Sequence, residues 1–427
     1  MKLKRIISIL AVTLSINLIS PLFSAKANAA EVPPEIIGDF AITIDADTGE
    51  VIYAKAADEK SYPASITKLM TAILLAENKE KTDILPFTET ALSQPDYSLY
   101  SSFGPINLGT TMTADDVMKA LLLFSGNDIA YVISDALANS TEEFANLMNS
   151  RFKDWGLTNT HFTNPNGLHD PDHYTTPYEL ALITQKAYEN QWVREVMALE
   201  EDTVTTSNNL PIKIENRNKN VGKDGAIGGK TGFTNPAGRC LAAIYERDGR
   251  TIIGVVMRSA YDAQDISVFN DMNAIIDYSF NAEKTTTQKA NDLVGNYELT
   301  YKAFNFFGPE KTVSVPMTLG EDVTIYDNEI NKAEASGTIS VTAKDAWELA
   351  KNPEGTYKVS VRNNSKNYTL KADISTSDLI KENIVLYGIA AAIILLALVL
   401  LFVIIKLIAK GPKGSSGYRR SRRRSRY

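Results

Sequence analysis

Apolar positions along the first 280 residues change period several times. Residues 40–45 and 51–54 are short runs of β-branched and aromatic residues, and Asp47-Thr48-Gly49 joins them, which predicts a hairpin. Pro63 cannot sit inside a helix. Just after it, Ile66, Leu69, Met70, Ile73 and Leu74 follow the i, i+3, i+4, i+7, i+8 pattern. The opposite face carries Ala72, Leu75 and Ala76, so this helix is apolar all round, the mark of a buried one. Helical spacing resumes at Thr113-Ala114-Asp115-Asp116, with Val117, Leu121 and Phe124 on one side, and breaks at Gly126. Further helices are expected over 129–138, 142–155, 176–189 and 268–280, with apolar strands at 240–245 and 251–257. Strands, then helices, then strands in one stretch predict an α+β domain over residues 30–285.

Beyond Val294 the texture changes. Residues 312–315, 323–326, 338–342, 357–361 and 368–372 are short β-rich runs separated by turn residues, which predicts a small all-β module over 290–375. It holds no cluster of titratable groups and is read as a spacer; residues 375–382 are expected to be a polar linker. Residues 384–405 are 22 positions without a charge. At about 1.5 Å per residue they reach ~33 Å, enough to cross a bilayer core.

The termini fix an orientation. Lys2, Lys4 and Arg5 precede an apolar stretch that ends at Ala27-Asn28-Ala29, so residues 1–29 are read as a cleaved signal peptide. After the span come nine basic residues, from Lys406 to Arg426, and no acidic one. A basic flank belongs in the cytoplasm, which places everything before Ile384 outside the cell, with the basic tail against anionic lipid headgroups. The net charge of −7 becomes about −20 once the +4 of the leader and the +9 of the tail are set aside. So acidic a body is a poor partner for nucleic acid. The one cysteine, Cys240, excludes an intrachain disulfide and sits in an apolar strand, where it reads as a small core residue.

Candidate chemistry starts in the first turn of the buried helix. Ser65 and Lys68 stand three residues apart, side by side on one helical face. A lysine partly out of water loses basicity and can serve as a base for a serine nucleophile. The spacing alone is not selective. Ser150 and Lys153 repeat it on an amphipathic helix, where they are expected on the solvated face. Two further elements follow in order, Ser125-x-Asn127 and Lys230-Thr231-Gly232, at separations of 60 and 105 residues. Ser-x-Asn also occurs at Ser15, Ser207 and Ser365, whereas Lys-Thr-Gly occurs once. This ordered trio is the serine set of penicillin-binding proteins and class A β-lactamases.

The chain resembles a serine-type D-alanyl-D-alanine carboxypeptidase, a low-molecular-weight penicillin-binding protein. Tyr62-Pro63-Ala64-Ser65-Ile66-Thr67-Lys68-Leu69-Met70-Thr71 is close to that family's nucleophile signature. Ser125-Gly126-Asn127-Asp128, residues 162–168 and Lys230-Thr231-Gly232-Phe233-Thr234 match its other motifs. Phe233 departs from the family's usual His or Thr, and the full C-terminal span departs from the amphipathic surface helix of many relatives. The resemblance implies a penicillin-binding, β-lactamase-like transpeptidase fold followed by a small all-β domain. It implies Ser65, Lys68 and Ser125 as catalytic residues. Asn127, Lys230, Thr231, Gly232 and Phe233 would bind substrate, with the N–H groups of Ser65 and Phe233 as the oxyanion hole. Lys230 is expected to help keep Lys68 neutral by its charge, and Arg217 and Arg258 are candidates for the substrate carboxylate. The partners implied are peptidoglycan stem peptides, β-lactams as covalent inhibitors and, for the anchor, membrane lipid. The place implied is a bacterial plasma membrane, crossed once, with the catalytic domain outside.

Two alternatives stand beside this reading, a class A-like β-lactamase and a non-catalytic wall-binding protein. The first needs a deacylating Glu motif, which the sequence lacks; the second has no use for Ser65, Lys68 and Lys230 together. His161, His169 and His173 are expected in loops or at the surface. Pro171 breaks the helix that a metal pair at His169 and His173 would need, so no metal or cofactor is expected.

Overall fold

The computed structural model describes residues 32–410. The leader expected at 1–29 and the tail from residue 411 on lie outside the described residues. Two compact units are present. Residues up to Thr285 with Tyr326–Ala333 form the first; Thr286–Ile325 and the residues from Glu334 on form the second.

The first unit is built on a five-stranded antiparallel sheet. Its strands are β1 (Phe40–Asp45), β2 (Val51–Lys55), β3 (Ala226–Thr234), β4 (Gly238–Arg247) and β5 (Arg250–Ser259), in the order β2-β1-β5-β4-β3. Strand alternation divides the core. Leu241, Ala243 and Tyr245 pack with Val268, Phe269, Met272 and Ile276 of the closing helix Ser267–Asn281. Ala242 and Ile244 face the other way, into the larger cluster with Ile66, Leu69, Met70 and Ile73. Covering both faces with helices explains why β4 and β5 read as continuous apolar runs.

The helix apolar all round is buried as expected, but it starts later. Ala64–Thr67 form a tight 3-10 turn, and the α-helix α1 runs over Lys68–Asn78, buried from Lys68 to Leu75. Ala64 has φ +49°, a left-handed conformation that an alanine adopts at a cost and that keeps the α-helix from extending back over Ser65. The helix expected at Thr113 covers Ala114–Lys119, capped by Thr113, whose Oγ1 accepts from Asp116 N at 3.1 Å. It then widens into a π-helical turn over Ala120–Phe124 and ends on Ser125, which is left-handed at φ 73°. Helix α2 (Asn127–Leu137) leaves directly from that corner. Helix Thr141–Asp154 carries Ser150 and Lys153 on its exposed side, as its amphipathic spacing predicts. Thr176 caps Pro177–Glu189, with Pro177 in the first turn.

The second unit holds β6 (Leu293–Lys302), β7 (Glu310–Leu319), β8 (Ser336–Ser340), β9 (Glu354–Val361) and β10 (Asn364–Ala372), antiparallel in the order β6-β7-β10-β9-β8. Val315, Met317, Leu319, Tyr357, Tyr368 and Leu370 form its core. Two expectations need correction. Val323–Tyr326 does not join this sheet but pairs with Lys284–Gln288. The segment expected as a polar linker is a helix, Thr376–Glu382, because Ser375 caps it and its one apolar anchor, Leu379, is buried with Tyr301, Ala346 and Trp347. A helix of 26 residues, Ile384–Ala409, follows. Its most apolar 18 residues have a mean hydropathy of 3.3, and the helix is long and apolar enough to cross a membrane.

Candidate active site

Four local devices converge on one cleft. The 3-10 turn presents Ser65, the first residue of α1 presents Lys68, the end of the π-helical turn presents Ser125, and β3 presents Lys230. Lys68 Nζ lies 3.0 Å from Ser65 Oγ, 3.0 Å from Asn127 Oδ1 and 2.8 Å from the Asn166 carbonyl. A neutral amine has two N–H groups and one lone pair. Two of those neighbours only accept, so in the neutral state they take both N–H groups and leave the lone pair to the Ser65 hydroxyl. Lys68 is fully buried, and burial brings its pKa down to about 7; the Arg217 charge adds to this and Asp128 opposes it.

Lys230 Nζ donates to Ser125 Oγ at 2.9 Å and to the Thr231 carbonyl at 3.1 Å. It is as buried as Lys68, and its pKa is pushed well below the usual lysine value, first by burial and then by Lys68, Arg217 and Arg239. The repulsion between the two amines is mutual, so each helps to hold the other neutral, and burial is the larger cause for both.

Strand β3 is an edge strand, so the main-chain groups on its outer side have no sheet partner. Thr231, Gly232 and Phe233 lie on it, against the nucleophile turn. A Cβ on Gly232 would stand 2.9 Å from the Pro63 carbonyl and 3.0 Å from Ser65 N, so only glycine allows this approach. Thr231 is buried, whereas Phe233 is exposed and its ring lies tilted against Tyr261 with ring centres 4.5 Å apart.

The loop at 163–168 carries the Asn166 carbonyl. Thr71 Oγ1 donates to the Pro165 carbonyl at 2.6 Å, and Asn164 Oδ1 accepts from Gly167 N at 2.7 Å. Gly167 has φ +81°, and a Cβ there would meet the Ala64 carbonyl at 1.9 Å. His173 supports the same place: it lies in a loop, as one of the two expected settings, but is buried there and stacks on Phe162, with ring centres 4.5 Å apart. Its Nδ1 accepts from Thr163 N at 3.1 Å, so Nε2 carries the proton and donates to Thr67 Oγ1 at 2.8 Å. Burial holds its pKa near 3, which keeps the ring neutral. His161 Nδ1 lies 2.6 Å from the Asp172 carbonyl, and His169 stands edge-on to Tyr62. The contacts of all three histidines are thus with groups other than Ser65.

The two candidate arginines separate. Arg258 pairs with Asp39 at 3.4 Å in an exposed position. Arg217 lies over the rings of Tyr97 and Phe124, and it lines an open cavity of about 500 Å³ with Lys219, Arg239 and Asp265. Tyr97 and Phe124 flank the catalytic corner: the Tyr97 carbonyl accepts from Asn127 N at 2.9 Å, and Phe124 precedes Ser125. Cys240 is a buried core residue, its thiol pushed up to about 11 by burial. Sequence reasoning missed Asn166 as a partner of Lys68. Its motif is visible at 162–168, but a main-chain carbonyl leaves no side-chain signal.

A profile of the D-alanyl-D-alanine carboxypeptidase family (Peptidase_S11) matches residues 26–260. The chain belongs to this family. It is a serine hydrolase of the D-alanyl-D-alanine carboxypeptidase class, acting on peptidoglycan. D-alanyl-D-alanine carboxypeptidase DacF of Bacillus subtilis is 28% identical over 370 residues, which cover 82% of this chain and 93% of the relative. DacC of Escherichia coli is 29% identical over 333 residues, 75% of this chain and 80% of that one. The crystal structure of the Streptomyces K15 DD-transpeptidase superposes with a TM-score of 0.53 at 28% identity, covering 58% of this carboxypeptidase and 99% of that chain. A penicillin-binding protein homologue from Mycobacterium tuberculosis, at 22% identity and a TM-score of 0.55, shares the fold.

Proposed function

We propose that Ser65 is the nucleophile of this carboxypeptidase and Lys68 its base. The observation that carries this is the neutral-amine geometry of Lys68, with its lone pair left to Ser65. Ser65 Oγ attacks the carbonyl carbon between the two terminal D-alanines, and its proton passes to Lys68 Nζ. The N–H groups of Ser65 and Phe233 hold the oxyanion. The C–N bond breaks, and the leaving D-alanine nitrogen takes the proton held on Lys68, relayed through Ser125, which returns the Lys68 amine to its neutral form. Water then enters where D-alanine left and gives a proton to Lys68. Its oxygen bonds to the ester carbon, and Ser65 Oγ departs and regains the proton. Asn127 orients Lys68 and the peptide, and Lys230, Thr231 and the approach allowed by Gly232 receive the terminal residue. Arg217 supplies positive charge for its carboxylate. Cleavage trims pentapeptides and removes the donor for cross-linking.

The same site accepts β-lactams as covalent inhibitors. The C-terminal helix anchors the enzyme in the bacterial plasma membrane, with everything before Ile384 outside and the basic tail against cytoplasmic lipid. The test is mass spectrometry after incubation with a pentapeptide muropeptide and with a penicillin. The wild type loses one D-alanine from the peptide and gains one penicilloyl adduct at Ser65, and Ser65→Ala shows neither. An adduct that persists in Ser65→Ala, on Ser150 for instance, refutes the assignment.

A further inference from the structure

The turn between β6 and β7 has an unusual composition for an exposed hairpin tip. It reads Ala303-Phe304-Asn305-Phe306-Phe307-Gly308, where a turn would ordinarily be polar. It is nevertheless well built. Phe304 N donates to the Phe307 carbonyl at 3.1 Å, and Ala303 N to the Pro309 carbonyl at 3.0 Å. Asn305 and Gly308 supply the left-handed positions, at φ 70° and 99°. The Phe304 and Phe307 rings stack 4.9 Å apart, yet Phe307 is 54% and Phe306 78% exposed.

The first turn of the apolar helix stands against this tip. Tyr387 packs edge-on to Phe304 at 4.9 Å and donates its hydroxyl to the Ala303 carbonyl at 3.1 Å. One turn earlier, Asn383 Nδ2 donates to Tyr301 Oη at 3.0 Å, so the helix leaves the sheet in a fixed direction. Tyr387 is 19 residues before Lys406. At 1.5 Å per residue that is about 28 Å, close to the thickness of a hydrocarbon core. With Lys406 at one boundary, Tyr387 lies at the other, the depth at which aromatic rings collect. Phe304 packs on Tyr387 and Phe307 stacks on Phe304, so the ring cluster stands beside that level.

We infer that the Phe304–Phe307 turn is a second membrane contact, with Phe306 and Phe307 inserted at the headgroup–acyl boundary of the outer leaflet beside the spanning helix. This rests on the proposed membrane crossing. The occupant follows from continuity with the spanning helix: the ring cluster packs on Tyr387 in its first turn, and the exposed apolar residues of that helix continue from Ile389 on. Two points of attachment fix the tilt of the second unit on the membrane, where a single helix would leave it free to swing.

The test uses the full chain in vesicles of anionic phospholipid, with an environment-sensitive fluorophore on an introduced cysteine. Cys240 is buried and stays unlabelled. Phe306→Cys and Phe307→Cys probe the turn. Leu293→Cys, exposed at the far end of β6 about 30 Å away, is the aqueous control. Phe402→Cys reports the span. Each labelled chain is first checked for D-alanine release. The expected result is a blue shift and a loss of emission with headgroup spin-labelled lipid at both turn positions, with neither at Leu293. Quenching at Phe402 but at neither turn position overturns the inference and leaves the membrane crossing standing. No quenching at Phe402 or in the turn overturns both.

Discussion

Replacing Lys68 by methionine tests the central claim, that burial keeps this amine neutral. The side chain is fully buried, and its pKa falls from the ordinary 10.5 to about 7. At about 1.4 kcal/mol per pH unit, burial of the charged form costs about 5 kcal/mol. The sign follows from proton counting. Below pH 7 folded and unfolded chains both hold the proton, and the wild type bears the full cost. Between 7 and 10.5 the unfolded chain binds a proton that the folded chain does not, so stability rises with pH. Above 10.5 both are neutral and the cost is gone. Lys68→Met lacks this dependence. It also leaves Asn127 Oδ1 and the Asn166 carbonyl without the amine, a loss of about 1–3 kcal/mol each that does not vary with pH in this range. The slope therefore decides, not the sign at one pH. Urea unfolding of both proteins from pH 6 to 10 should show wild-type stability gaining about 4 kcal/mol on the variant between pH 7 and 10. Release of the Lys230 amine from its neighbour's charge in the variant adds to the same trend. The kinetic counterpart is a kcat/KM for D-alanine release that climbs with pH and levels near 7. Two parallel stability curves would show that Lys68 titrates as an ordinary lysine, and the base assignment would fall.

Arg217→Gln removes the cation that helps hold Lys68 down, so the pH–rate curve should move to higher pH while KM for the peptide rises; an unmoved curve assigns the whole effect to burial. Gly167→Ala places a Cβ against the Ala64 carbonyl at a left-handed position, and denaturant unfolding should show a loss of about 2–4 kcal/mol together with slower acylation of Ser65. Penicilloyl release from Ser65 should be far slower than turnover of a D-Ala-D-Ala peptide, because the β-lactam leaving group stays tethered where water must enter; equal rates measured on one preparation would make the protein functionally a β-lactamase. External protease on intact cells should remove the residues before Ile384 and spare an epitope at Tyr427, and loss of that epitope reverses the topology.

The sequence by itself determined whatever depends on local pattern. The buried helix after Pro63, the capped helices at Thr113 and Thr176 and the apolar strands of the sheet are periodicities that a chain can satisfy in only one way. The trio of motifs, read in order, was enough to single out Ser65, Lys68, Ser125 and Lys230 as candidates, because each presents a side chain whose chemistry is visible in its letter, and the structure brings these side chains together. What the sequence could not hold was anything set by the path of the main chain between distant segments. The left-handed Ala64 and the 3-10 turn that holds Ser65 are outcomes of packing against β3 and the loop at 163–168, and the π-helical turn that ends on Ser125 is an outcome of packing against α1, α2 and the strand Pro211–Glu215; local propensity opposes all three. The Asn166 carbonyl and the cation that matters to Lys68, Arg217, lie 98 and 149 residues away along the chain. Burial itself, which moves the Lys68 pKa more than any neighbour does, belongs to no residue. It arises only when the helices close over the sheet, and only the tertiary structure could decide it.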